Sequence, residues 1–299
     1  MIRNQAKILL GSYRHALLCA VVFALTPYTL WLSLSVVALV TLRRGWRDGG
    51  LVLLPVCGAH VMWSLMSMGS AMALLNTTCT FVPCYLAACA LRYTASWRAV
   101  AGFFLMGMLV VALLLQVFMP DFIMTQFEYI RSAMRELQVN STLLAYINDK
   151  NSLNRLLLAN YLFGIQMVGV VTSAILSLMT ARSIQSQLYY PGGFKQEMLA
   201  FRANKLALLL FVVVFVAANQ QNVLAMNLLP ALVFYFLFAG LSFGFQLLSK
   251  RKMVSSLVLL VVPIVFLPFV MLPVYVILGS LDSLINFRLY LPSDAGKTT

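Results

Sequence analysis

Residues Leu206–Leu248 read LALLLFVVVFVAANQQNVLAMNLLPALVFYFLFAGLSFGFQLL, 43 positions without a Lys, Arg, Asp or Glu. A helix crosses the hydrocarbon core in about 20 residues, so the stretch is too long for one crossing and right for two. Asn219-Gln220-Gln221-Asn222 supplies a polar turn near its middle. The stretch therefore reads as a helical hairpin that leaves one compartment and returns to it. Gly49–Leu91 has the same length and is equally free of charge, and its turn is predicted at Asn76-Thr77-Thr78. Two such hairpins set the fold class: an all-α, polytopic transmembrane bundle.

Composition agrees. Of 299 residues, 62% are apolar and 10% charged, against roughly half and a quarter in soluble domains. The net charge of +13 comes from 21 basic and eight acidic residues. The basic residues flank apolar runs, as membrane orientation and anionic headgroups require. They form no long patch interleaved with a binding motif, which excludes nucleic acid as a partner. The five cysteines all lie in apolar runs and are odd in number. They read as small apolar fillers rather than a disulfide framework. Arg3, Lys7 and Arg14 precede an apolar stretch that continues to Leu42 without a cleavage signature, so this segment is expected to stay in the membrane.

His15–Leu42 is interrupted by Thr26-Pro27-Tyr28-Thr29 and carries basic clusters at both ends. Two short helices turning near Pro27 keep both clusters on one side; a single crossing would strand three basic residues on the wrong side. Ala99–Pro120 and Leu156–Ala181 read as single spans, and Met253–Leu281 as the last. This assignment places 15 basic residues against two acids inside, and six basic residues against six acids outside. Nine spans put the amino terminus in the cytoplasm and the carboxyl terminus outside. Pro263, Pro268 and Pro273 leave open a kinked or re-entrant last run, which gives eight.

The whole chain, 1–299, reads as one polytopic membrane domain, with an outer segment at 121–155 and a cytoplasmic loop at 182–205. In the outer segment Ile123, Phe127, Ile130, Met134 and Leu137 recur at helical spacing, the stripe of an amphipathic helix lying on the bundle or the headgroups. Asn140 and Asn76 each begin a three-residue glycosylation sequon. In the cytoplasmic loop a Pro191-Gly192 turn precedes Phe194, Met198 and Phe201, the pattern of a short helix against the inner leaflet.

Acids and bases are absent from the predicted span interiors, which argues against proton pumping and two-aspartate proteolysis. His60 is the deep ionisable exception. With Gln166 and Asn227 it forms the candidate ligand-binding set, each residue having an alternative role as interhelical glue. Gly240-Leu241-Ser242-Phe243-Gly244 is a GxxxG motif suited to close helix packing. No HExxH, CxxC, GxSxG or GxGxxG occurs. The expectation is a protein without catalytic residues, metal ligands or cofactor.

Leu42-Arg43-Arg44-Gly45-Trp46-Arg47, the Pro191–Arg202 loop and Asn227-Leu228-Leu229 with Gly240-Leu241-Ser242 together resemble the YybS-type predicted membrane proteins of bacteria. That family's domain has no assigned function. It is more remotely similar to the substrate-binding subunits of energy-coupling-factor transporters and to the rod-shape-determining protein MreD. The resemblance implies a multi-pass protein of the bacterial inner membrane. It fits a small-molecule binding or transport subunit, or a scaffold for an envelope complex, with the lipid bilayer and membrane-protein subunits as partners.

Overall fold

A computed structural model describes residues 12–67, 69–136, 152–248 and 253–290. Among them are twelve α-helices and no strand. In chain order they are α1 (Tyr13–Leu25), α2 (Leu30–Arg44), α3 (Trp46–Ser64), α4 (Ser70–Thr94), α5 (Trp97–Phe118) and α6 (Pro120–Glu136). They continue as α7 (Ser152–Tyr189), α8 (Gly193–Ala200), α9 (Lys205–Asn219), α10 (Val223–Leu247), α11 (Met253–Phe266) and α12 (Pro268–Leu284). Helices α4, α5, α7 and α10 are long and apolar enough to cross a bilayer, and the pair α8–α9, bent by 52°, makes a fifth if it is one span. Eight or nine helices of spanning length are not found among the described residues. The physical reason is short segments: Pro27 and Leu267-Pro268 cut apolar runs into shorter helices, and α9 ends after 15 residues at the Asn219–Asn222 turn. The chain forms two compact units, Met1–Phe104 with Gly169–Glu197, and Leu105–Val168 with Met198–Thr299.

In the first unit α1 and α2 are two helices joined at Thr26–Thr29, as the charge pattern predicts. Ala16, Ala20 and Ala24 form a buried small-residue stripe on α1, and Ser33 Oγ donates to the Ala20 carbonyl at 2.7 Å. Every residue from Ser33 to Leu42 is buried, as befits a helix apolar on all sides and covered by protein on all of them. Gly45 follows with φ +118°, a conformation that favours glycine. Arg92 Nη1 donates to the Leu42 carbonyl at 2.7 Å, satisfying an acceptor left open at the end of α2.

Helix α3 ends at Ser64 and α4 begins at Ser70, so the break between them does not fall at Asn76-Thr77-Thr78, which lies within α4. Polar side chains do not break a helix when neighbouring backbone or side chains satisfy them. Thr80 Oγ1 returns its proton to the Asn76 carbonyl at 2.7 Å, and Thr77 is paired across the hairpin. The cysteines are free, and buried Cys84 lies 3.7 Å from the Ala174 carbonyl.

In the second unit α6 packs Ile123 and Phe127 with Ala159 of α7, flanked by Met134, Leu158 and Phe163. The amphipathic stripe thus covers protein; Leu137 and Asn140 lie outside the described residues. Glu128 on its polar side pairs with Arg131 at 3.2 Å and with Arg155. Met198 and Phe201, expected with Phe194 of the first unit against the inner leaflet, are buried, as Phe194 is. Phe201 sits edge-on to Tyr235 and Phe238, at 6.2 and 5.2 Å between ring centres. The predicted α9–α10 turn is present: Asn222 caps α10 by accepting from the Ala225 amide at 3.1 Å, and Gln221 takes φ +62°.

The last apolar run is not one span. It breaks at Leu267, and Tyr275 Oη donates to the Leu260 carbonyl at 3.1 Å. In a continuous helix those residues would be about 22 Å apart along the axis, so α12 folds back toward α11. Helix α12 then packs antiparallel on α10, Tyr275 against Gly240 and Gly279 against Phe236.

Candidate functional site

His60 is buried on α3. Its Nδ1 lies 2.7 Å from Thr77 Oγ1 on α4, and its ring stands edge-on to Phe81 at 5.5 Å. Histidine and threonine bond side chain to side chain across the hairpin, one apolar turn before Phe81. Asn227 belongs to the other unit. It is fully buried on α10, and its Nδ2 lies 3.5 Å from Asn160 Oδ1 on α7. Asn160 in turn donates to the Leu156 carbonyl at 2.9 Å. Asn227 Oδ1 is buried without a partner. Gly164 permits this approach, because a Cβ there would overlap the Asn227 carbonyl. Gln166, two residues further on α7, is exposed. The three predicted residues therefore do not form one constellation: His60 lies in one unit, and Gln166 and Asn227 occupy different environments in the other.

The densest buried polar cluster of the second unit lies elsewhere. The sequence separates Arg202 from Asp282 and Arg288, cytoplasmic loop from outer tail, yet the structure joins them. Asp282 is within α12 and fully buried, so an acid does occupy the buried part of an apolar helix. Its Oδ2 accepts from Arg288 Nε at 2.9 Å. Arg202 Nε donates to the Asp282 carbonyl at 2.7 Å and its Nη2 to the Ser283 carbonyl at 3.2 Å. Arg288 also donates to the Leu199 carbonyl, and its Nη2 is 3.5 Å from Ser242 Oγ. Ser242 Oγ is within 2.7 Å of the Met198 carbonyl and 2.8 Å of the Phe201 carbonyl. Desolvated charges persist in such a place only when paired and hydrogen-bonded. Arg288 pairs with the carboxylate and Arg202 with the backbone beside it, so two guanidinium groups and one carboxylate leave the cluster net positive. Asp282 Oδ1, Ser283 Oγ and Asn286 Oδ1 are buried with no hydrogen-bond partner.

The first unit has its own ion pair. Arg182 Nε lies 3.1 Å from both carboxylate oxygens of Glu197, Trp97 Nε1 donates to the same carboxylate at 3.0 Å, and Arg182 Nη1 donates to Gln185 at 2.7 Å. This carboxylate is saturated with donors, which suits a structural tie. Among the described residues no group of three or more His, Cys, Asp or Glu side chains is placed to hold a metal ion.

No family model matches the chain, and neither a curated protein nor a solved structure matches it.

Proposed function

We propose that the protein is a membrane-embedded binding or transport subunit for a small molecule, without enzymatic activity, and that its working site lies around Asp282, Arg202 and Arg288. One observation carries this reading: a fully buried carboxylate with an unpartnered oxygen sits where two interrupted helices meet, α8–α9 and α11–α12. Ionisable groups buried in a membrane bundle are costly and tend to mark substrate or ion pathways. The α8–α9 elbow and the end of α12 bring open backbone carbonyls beside the same carboxylate. Asn160 and Asn227, in the same unit, add a second polar pair that a pathway would use.

The same contact supports an orientation. Arg202 belongs with the basic residues of the amino-terminal side, so Asp282 and Arg288 join it there, and Met253–Leu281 is a re-entrant hairpin. That side then carries 17 of the 21 basic residues against four acids, and the outer segment carries four of each. The amino terminus is cytoplasmic in this arrangement, in a bacterial inner membrane, and the carboxyl terminus lies in the same compartment. With the last run re-entrant, the eight-crossing count is the one retained.

A second reading, a scaffold in a membrane assembly, is favoured by a specific feature. Arg202 and Arg288 spend donors on carbonyls of the chain itself, as a brace does. Native mass spectrometry of gently purified protein decides between them. A co-purifying small molecule that is lost in Asp282→Asn is the expected result. Retention of a protein partner with no small molecule in either form overturns the binding reading in favour of the scaffold.

A further inference from the structure

Two arginines exchange helix ends in the second unit. Arg202 follows α8 by two residues, yet it caps α12, donating to the carbonyls of Asp282 and Ser283 at 2.7 and 3.2 Å. Arg288 follows α12 by four residues, yet it caps α8, donating to the Leu199 carbonyl. A helix carboxyl end carries partial negative charge and open carbonyls, so a cation is favoured at each. Asp282 binds Arg288 through Oδ2 at 2.9 Å and so links the two caps. Between them lies the Phe201–Asn204 elbow, where α8 and α9 bend by 52°. Ser242 Oγ holds the elbow's first carbonyl at 2.8 Å, and the Asn204 amide donates to Tyr235 Oη at 3.0 Å.

We propose that this exchange is a latch with two positions: it holds the elbow closed on the end of α12, and Asp282 is the group whose loss releases it. A permanent brace would satisfy its own members, and this one does not. Asp282 Oδ1, Ser283 Oγ and Asn286 Oδ1 are buried without partners in the closed arrangement. An open arrangement that admits water or a ligand would satisfy them. The charge balance points to the same release point. The cluster holds two guanidinium groups and one carboxylate, which pairs with Arg288, so neutralising that carboxylate raises the buried positive charge and favours an arrangement open to water. The moving part is the elbow and the 285–290 tail rather than α12. The middle of α12 is fixed on α10 by backbone contact at Gly240 and Gly279. The latch stands whether the protein carries a ligand or holds partner subunits, so it goes beyond the reading above.

Paired spin labels test it. Leu206 at the start of α9 and Leu284 at the end of α12 are exposed, and cysteines there, in full-length protein lacking its native cysteines, take nitroxides. In lipid nanodiscs the parent should give one narrow distance distribution. Asp282→Asn, which keeps the side-chain shape, should add a second, longer population amounting to at least a tenth of the total. Arg202→Gln should do the same by removing one cap. A single unchanged distance in both variants, with cooperative melting, would overturn the latch. Failure of both to fold would overturn it equally, because a joint that opens only on unfolding is a brace.

Discussion

Gly240 of α10 rests on the Tyr275 carbonyl of α12 so closely that a Cβ at position 240 would overlap the oxygen. Gly279 of α12 rests on the Phe236 carbonyl in the same way. The two glycines let the helix backbones touch, and lipid gives helices no hydrophobic reason to associate beyond such packing. Gly240→Ala and Gly279→Ala should each cost about 1–3 kcal/mol by overpacking. Gly107→Ala and Gly169→Ala meet open space and should change little. Thermal melting of the detergent-purified variants measures this. Equal melting temperatures for Gly240→Ala and Gly107→Ala would show that α12 is not seated on α10.

His60 and Thr77 tie α3 to α4 through their 2.7 Å side-chain contact. Thr77→Val keeps the shape and removes the bond, at an expected cost of about 0.6–1.7 kcal/mol. His60→Gln retains a group able to bond Thr77 and should cost less than Thr77→Val. If His60→Gln instead leaves melting unchanged but abolishes a co-purifying ligand, His60 contacts that ligand and the tie is secondary.

How much of this was legible in the sequence depends on the range of the interaction. The α1–α2 and α9–α10 turns follow from local signals: proline with flanking threonines, and four consecutive amide side chains. Asn76-Thr77-Thr78 predicts the α3–α4 turn in the wrong place because polarity alone does not break a helix. In a membrane helix, threonine and asparagine are satisfied by a neighbouring turn or a neighbouring helix, and α3 ends at Ser64 instead. The Arg202–Asp282 contact joins positions 80 apart. Charge counting assigns each loop to a side by its own residues and has no means to pair two of them. Asn160 carries no signal in the sequence because it lies little more than one turn beyond Arg155, where a polar residue looks like the end of a span. Its burial becomes visible once Asn227 is opposite.

Reporter fusions test the orientation that the contact implies. Fusions after Arg47 and after Thr299 should report the same compartment, and one within 137–151 the opposite one. A reporter at Thr299 that agrees with 137–151 rather than with Arg47 would restore a full crossing by the last run. It would also be incompatible with Asp282 and Arg202 sharing a site in the membrane-embedded protein.

The Asn160–Asn227 pair distinguishes glue from a pathway. Replacing one partner leaves the other buried and unsatisfied, which costs about 1–3 kcal/mol, whereas replacing both by apolar residues of similar shape can be nearly neutral. Asn160→Leu and Asn227→Leu should therefore each lower the melting temperature, and the double variant should recover much of the loss. That recovery is the signature of a pair whose role is to hold α7 on α10. Asn227 Oδ1 has no partner within the chain, so a water or ligand donor at that oxygen would be lost in both the Asn227 variant and the double variant. If the double variant melts like the parent yet no longer retains a co-purifying small molecule, the pair belongs to the binding path. If it melts like the parent and retains that molecule, the asparagines hold the helices together and the ligand is bound by other groups.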